Sequence, residues 1–222
     1  MDLKTANCPF LHVIKTPQHL ESLHGTDWEW WIGSNQLGWL RYAIQAKKIN
    51  CSSLRYDDLE HKVKGQQQLE ILRSYSMTNN ALGRYCFYNY TEKIDSKQHW
   101  HCKFPFASKQ LGCSLATLST VSKSLKNRGC RNFDFIHSER STIPLRCLVK
   151  CPIILSIYHG DYRFLSKFED YENVRIFESL PRNIQAGVES GSFEEWDSDF
   201  YSSEIWYRPQ NILVAELPDL SH

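Results

Sequence analysis

The chain has 222 residues, a formal net charge of +1, and 41% apolar, 23% charged and 13% aromatic residues. That length fills one core of ordinary size, and the ring content excludes a disordered chain. The near-zero charge excludes global steering toward nucleic acid or an anionic membrane, so such a partner has to be met by a local patch.

Met1 to Asn7 carry no apolar core of a secretory signal, and the longest apolar approach, Cys147 to Tyr158, is interrupted by Lys150 and Pro152. These features predict a single domain over residues 1–222, a cytoplasmic location and no membrane partner. Eight cysteines, Cys8, Cys51, Cys86, Cys102, Cys113, Cys130, Cys147 and Cys151, are then expected as free thiols.

In chain order, Phe10 to Ile14 reads as a short strand, and Thr16-Pro17 opens a short helix through Leu23. Trp28, Trp30 and Trp31 follow in a loop or edge segment. Leu37, Leu40, Ala43, Ile44 and Lys47 have helical spacing, with Asn35 as cap. A further helix is predicted from Tyr56 to Tyr75, with Gly65 as a candidate break. Tyr85 to Tyr90 alternates as a strand does. Leu115, Leu118, Val121, Ser122 and Leu125 form a helical face that stops at Gly129. Phe133 to Ile136, Cys147 to Tyr158, Val174 to Phe177 and Gln210 to Leu217 all read as strands. The fold class is therefore α+β, with a mixed or antiparallel sheet and helices mainly from the N-terminal half.

Charge is uneven along the chain. Ser96 to Phe133 holds no acid but seven lysines and arginines, whereas Ile184 to Trp206 holds no base. Two solvated faces explain this, and so does a basic patch built for a polyanion. A helix-turn-helix is conceivable around Gly112, with Ser114 capping a helix whose outer side shows Thr117, Thr120, Lys123, Ser124 and Lys126. A core-packed amphipathic helix explains the same letters. His99, His101, Cys102, Cys113, Cys130, Cys147, Cys151 and His159 contain one close pair, Cys147 and Cys151, and no second pair of zinc-site spacing. No metal is expected there. Glu194, Glu195, Asp197, Asp199 and Glu204 could hold magnesium for phosphoryl chemistry. A restriction-type nuclease also wants a strand carrying an acid and a lysine two residues apart, and none of these five sits in one.

Two segments carry a resemblance. Phe10-Leu11-His12-Val13-Ile14-Lys15-Thr16-Pro17-Gln18-His19-Leu20 resembles the opening of ADP-ribosyltransferase-like domains. Trp196 followed by Arg208-Pro209-Gln210-Asn211-Ile212-Leu213-Val214 resembles the closing strand of the DNA ADP-ribosyltransferase toxins. The resemblance implies NAD as cofactor, with His12 on the nicotinamide-side ribose and Asn211 at the position of the family's catalytic glutamate. An amide there carries no negative charge, so no catalytic residue is assigned. The resemblance further implies a toxin or phage-defence role on or near DNA or RNA, with Lys123, Lys126 and Arg128 on the phosphates. The alternatives are a non-catalytic nucleic-acid module using residues 114–127, or a module that binds a protein partner through its acidic segment.

Overall fold

The computed structural model describes residues 10–15, 26–90, 97–102, 104–148, 175–190 and 211–217. The expected helix at 17–23, most of the expected strand at 147–158 and the acidic cluster at 194–204 lie outside the described residues.

Nine strands and four α-helices are described: β1 (Leu11–Lys15), β2 (Trp28–Ser34), β3 (Gly38–Lys48), β4 (Lys62–Val63), β5 (Gln66–Gln67), α1 (Gln68–Thr78), β6 (Leu82–Tyr88), β7 (Cys113–Thr117), α2 (Leu118–Leu125), α3 (Phe133–Ser138), β8 (Ile143–Pro144), α4 (Arg182–Ser190) and β9 (Asn211–Glu216). Seven of the strands form one sheet in the order β1-β9-β2-β3-β6-β7-β8, and β4 with β5 makes a separate hairpin. Pairing is parallel for β2 with β9 and for β3 with β6, and antiparallel elsewhere. The class is α+β with a mixed sheet. Among the described helices α1 lies in the first half of the chain, and α2, α3 and α4 in the second.

The segment read as a helix from Leu37 to Lys47 is the longest strand of the sheet. Ten of the eleven β3 residues are at least partly buried, because both faces of the sheet are covered. One face packs Ala43, Tyr85, Phe87 and Ala116 under Leu69, Leu72 and Tyr75 of α1, Val121 of α2, and Phe133 and Ile136 of α3. Farther along it, Trp31, Ile212 and Val214 meet Ile184 of α4. The other face gathers Ile32, Leu40, Tyr42, Ile44, Cys86, Leu115 and Leu213. A strand buried on both sides shows no polar alternation, so its period of two is hidden from the sequence. The tryptophans read as an edge segment are β2, which lies between β9 and β3.

A tight hairpin makes this pairing compulsory. Gly38 sits at φ +85°, and a Cβ on Gly33 would fall 2.1 Å from the Gly38 carbonyl oxygen. Other corrections are local. Gly65, at φ +85°, turns the β4–β5 hairpin, so α1 starts only at Gln68. Residues 113–117 pair with β6, and Thr117 rather than Ser114 caps α2 by accepting from the Thr120 amide at 3.2 Å. A helix-turn-helix is thereby removed, since a 3-10 turn at Ser108–Gly112 precedes that strand. Phe133–Ser138 is helical instead of extended, because the Asn132 side chain accepts from the Phe135 amide at 2.9 Å.

Candidate functional site

Asp27 stands immediately before β2. Its amide donates to the Ile44 carbonyl at 3.0 Å, and its carbonyl accepts from the Asn211 amide at 3.3 Å, so β3 and β9 fix it from both sides. Its carboxylate Oδ2 accepts from the Gln45 Nε2 at 2.5 Å and from the Ala46 amide at 2.8 Å. Two residues on, with the same facing, Lys47 donates from Nζ to the Oε1 of Gln68 at 2.6 Å. Gln68 opens α1. Gln45, Lys47 and Gln68 are all buried.

Burial shifts both charged groups toward neutrality. Desolvation raises the Asp27 carboxyl above the ordinary carboxylate range, opposed by the Ala46 hydrogen bond and the Lys47 charge. Desolvation lowers the Lys47 ammonium below the ordinary lysine value, opposed by the charges of Asp27 and Asp58. Desolvation thus moves an acid and an amine on neighbouring strands each toward its neutral form.

Gln45 carries a further feature. Its Oε1 is buried and has no hydrogen-bond partner, while its Nε2 lies 2.5 Å from Asp27 Oδ2 and 3.4 Å from the Ala46 carbonyl oxygen. The amide nitrogen therefore sits where two oxygens converge. Rotating the amide by half a turn would exchange that nitrogen for the orphan oxygen and set three oxygens, from Asp27, Gln45 and Ala46, side by side. Hard divalent cations take such a set. Among the described residues no three of His, Cys, Asp and Glu cluster to hold a metal; one carboxylate with two neutral oxygens is a different donor set.

A dry network holds this cluster in place. Glu29, two residues beyond Asp27 on the same face, is ion-paired with Arg41 at 2.7 Å. It also accepts from the Trp31 Nε1 at 2.6 Å and the Tyr75 hydroxyl at 2.5 Å. Arg41 lies over the Trp31 ring and donates to the Asn79 carbonyl at 3.0 Å. Tyr75 and Gln68 are seven residues apart on one side of α1, so the ion pair that seats the helix also sets Gln68 against Lys47.

A buried Ser–His contact elsewhere does not make a nucleophile. Ser114 Oγ lies 2.7 Å from His137 Nε2, and both residues are fully buried. His137 Nδ1 faces the Phe133 carbonyl at 2.9 Å, not a carboxylate. Desolvation pushes this imidazole down to about 3, so it stays neutral and structural.

The sequence-predicted residues fare unevenly. β1 and β9 do pair, but His12 stands opposite Val214 and Asn211 opposite Lys15. Strand alternation then sends the two to opposite faces of the sheet, so they do not share a hollow. Lys123 is ion-paired with Glu139 at 2.7 Å, and Lys126 and Arg128 are exposed. Of the residues weighed against a zinc site, Cys102 lies against Cys147, and His99, His101 and Cys130 line a cavity of about 580 Å³ with Asn132 and Asp134. Cys151 and His159 lie outside the described residues. That cavity contains none of Asp27, Gln45, Lys47 and Gln68.

Those four residues were not predicted from the sequence. The available signal was an acid ahead of a turn-linked pair of strands, the second carrying a residue pair spaced as acid-x-lysine. Glutamine at position 45 in place of the acid, and the helical spacing of the same segment, concealed it.

Neither curated proteins nor solved structures give a match to this chain. A family model does match, over residues 1–211. The chain belongs to DUF6615, a family of unknown function.

Proposed function

We propose that the Asp27–Gln45–Lys47–Gln68 cluster is a hydrolytic site for nucleic-acid phosphodiesters, assisted by a divalent cation. The observation that carries this reading is a desolvated carboxylate and a desolvated amine on adjacent strand ends, with the buried, unpartnered amide oxygen of Gln45 on the residue bonded to that carboxylate. It is the arrangement that restriction-type nucleases ask for, with Gln45 in place of the second acid.

Asp27, the Gln45 Oε1 and the Ala46 carbonyl would hold the cation. When bound, the cation supplies charge stabilisation at the scissile phosphate and lowers the pKa of water. Lys47 holds the attacking water or a phosphate oxygen. Gln68 orients the amine by accepting one of its hydrogens.

Polynucleotide is the favoured phosphodiester because of the loop that leaves β3. Tyr56 donates its amide to the Arg131 carbonyl, Phe133 to the Leu54 carbonyl, and the Arg55 side chain to the Arg128 carbonyl. Residues from the acid-free basic stretch are thus fastened to the chain just beyond Lys47. Lys126 and Arg128 remain exposed there.

The test is incubation of the purified chain with single- and double-stranded DNA and RNA in magnesium or manganese. Cleavage should require the cation, and Lys47→Ala should reduce it by about 10²–10⁴-fold. Absence of cleavage on all substrates with both ions, or cleavage untouched by Asp27→Asn and Lys47→Ala, would overturn the reading.

A further inference from the structure

Four of the described cysteines stand in two close pairs, the first of them one strand over from Ala46. Cys86 and Cys113 have sulfurs 3.3 Å apart, as do Cys102 and Cys147. The first pair is built into the sheet. In the β6–β7 register Cys86 faces Leu115 and Tyr88 faces Cys113, so the two thiols are diagonal neighbours on one face. Their sulfurs need approach by only about 1.3 Å to reach bonding distance.

The two thiols are not equivalent. Cys86 is buried, whereas Cys113 is half-buried and reachable from solvent. The two sulfurs are within hydrogen-bond distance of each other, and either thiol can be the donor. A solvent-reachable thiol beside a second thiol close enough to bond is the pairing that two-step thiol oxidation needs.

We infer that Cys113 is a peroxide-reactive modification site and that Cys86 resolves it to a disulfide joining β6 and β7. In the first step the Cys113 thiolate attacks one peroxide oxygen. The O–O bond breaks, the sulfur becomes a sulfenic acid, and the leaving hydroxide takes a proton to become water. In the second step the Cys86 sulfur attacks the Cys113 sulfur, the S–O bond breaks, and the released hydroxide combines with the Cys86 proton as a second water. The two thiols lose two electrons, and one peroxide is reduced to two waters. The inference does not depend on the hydrolytic reading.

Treating the reduced full chain with equimolar hydrogen peroxide, then alkylating remaining thiols and mapping the peptides, tests it. The expected map shows one intramolecular link between the Cys86 and Cys113 peptides before exposed Cys51 is oxidised. In Cys113→Ser, Cys86 should stay alkylatable, and in Cys86→Ser, Cys113 should stop as a dimedone-reactive sulfenic acid. If a variant fails to fold, the map of the unsubstituted chain decides alone. A map in which both stay thiols while Cys51 oxidises overturns the inference. So does over-oxidation of Cys113 with Cys86 still free, or a link confined to Cys102 and Cys147.

Discussion

Asp27 illustrates at the scale of one side chain how a functional group costs the fold. Its carboxyl is raised in the folded state, so between the unfolded and folded values the native chain binds more protons than the unfolded one. Stability from this group is full below about pH 4 and is lost as pH rises through the folded value. Asp27→Asn should therefore remove activity and raise the melting temperature at pH 7, with the gain vanishing near pH 4. Lys47 has the opposite sign, since its lowered folded value makes the native state gain stability as pH rises toward the unfolded lysine value. Thermal melts of both single variants across pH 4 to 9 check the pair. A neutral or lower melting temperature for Asp27→Asn at pH 7 would mean that its bonds to Gln45 and Ala46 outweigh its desolvation.

At the scale of elements, the Glu29–Arg41 pair locks β2, β3 and α1 together. Glu29 is entirely buried and Arg41 nearly so. Removing one partner strands the other charge, so Glu29→Gln should cost about 3–5 kcal/mol, whereas replacing both by apolar residues of similar volume should cost less. Denaturant unfolding of the single and double variants makes that comparison. Equal losses in both would show that the pair contributes more than its own desolvation. The hairpin between β2 and β3 explains why this lock can exist: Gly33 and Gly38 allow a turn tight enough to set Glu29 near Arg41 and Asp27 near Gln45. Local sequence hints competed here, because Leu37, Leu40, Ala43, Ile44 and Lys47 fit a helical stripe as well as they fit a strand buried on both faces.

For the molecule as a whole, a net charge of +1 means that any polyanion is held by local cations. Lys126 and Arg128 are exposed, while Lys123 is already neutralised by Glu139 and Arg131 by Glu60. Binding to DNA or RNA should weaken with salt, and the double variant Lys126→Glu, Arg128→Glu should make the log–log slope shallower by roughly two units. An unchanged slope would place the phosphates elsewhere. No helix among the described residues is long and apolar enough to cross a membrane.

From the residues alone came the α+β class with a mixed or antiparallel sheet, the first and last strands, the strand around Tyr85, the helical face of Val121 and the basic stretch that follows Ser96. Those signals are local: β-branched runs, a stripe of one period, a charge count. The pairing of β1 with β9 brought the chain ends together, yet its register parted His12 from Asn211, and register is a property of two strands at once. Asp27, Gln45, Lys47 and Gln68 span 42 residues of sequence and meet only because a glycine hairpin, a strand with both faces covered and the start of α1 converge. Desolvation, which shifts Asp27 and Lys47 toward each other, has no counterpart in the sequence, since it arises only when other elements exclude water from that corner of the sheet.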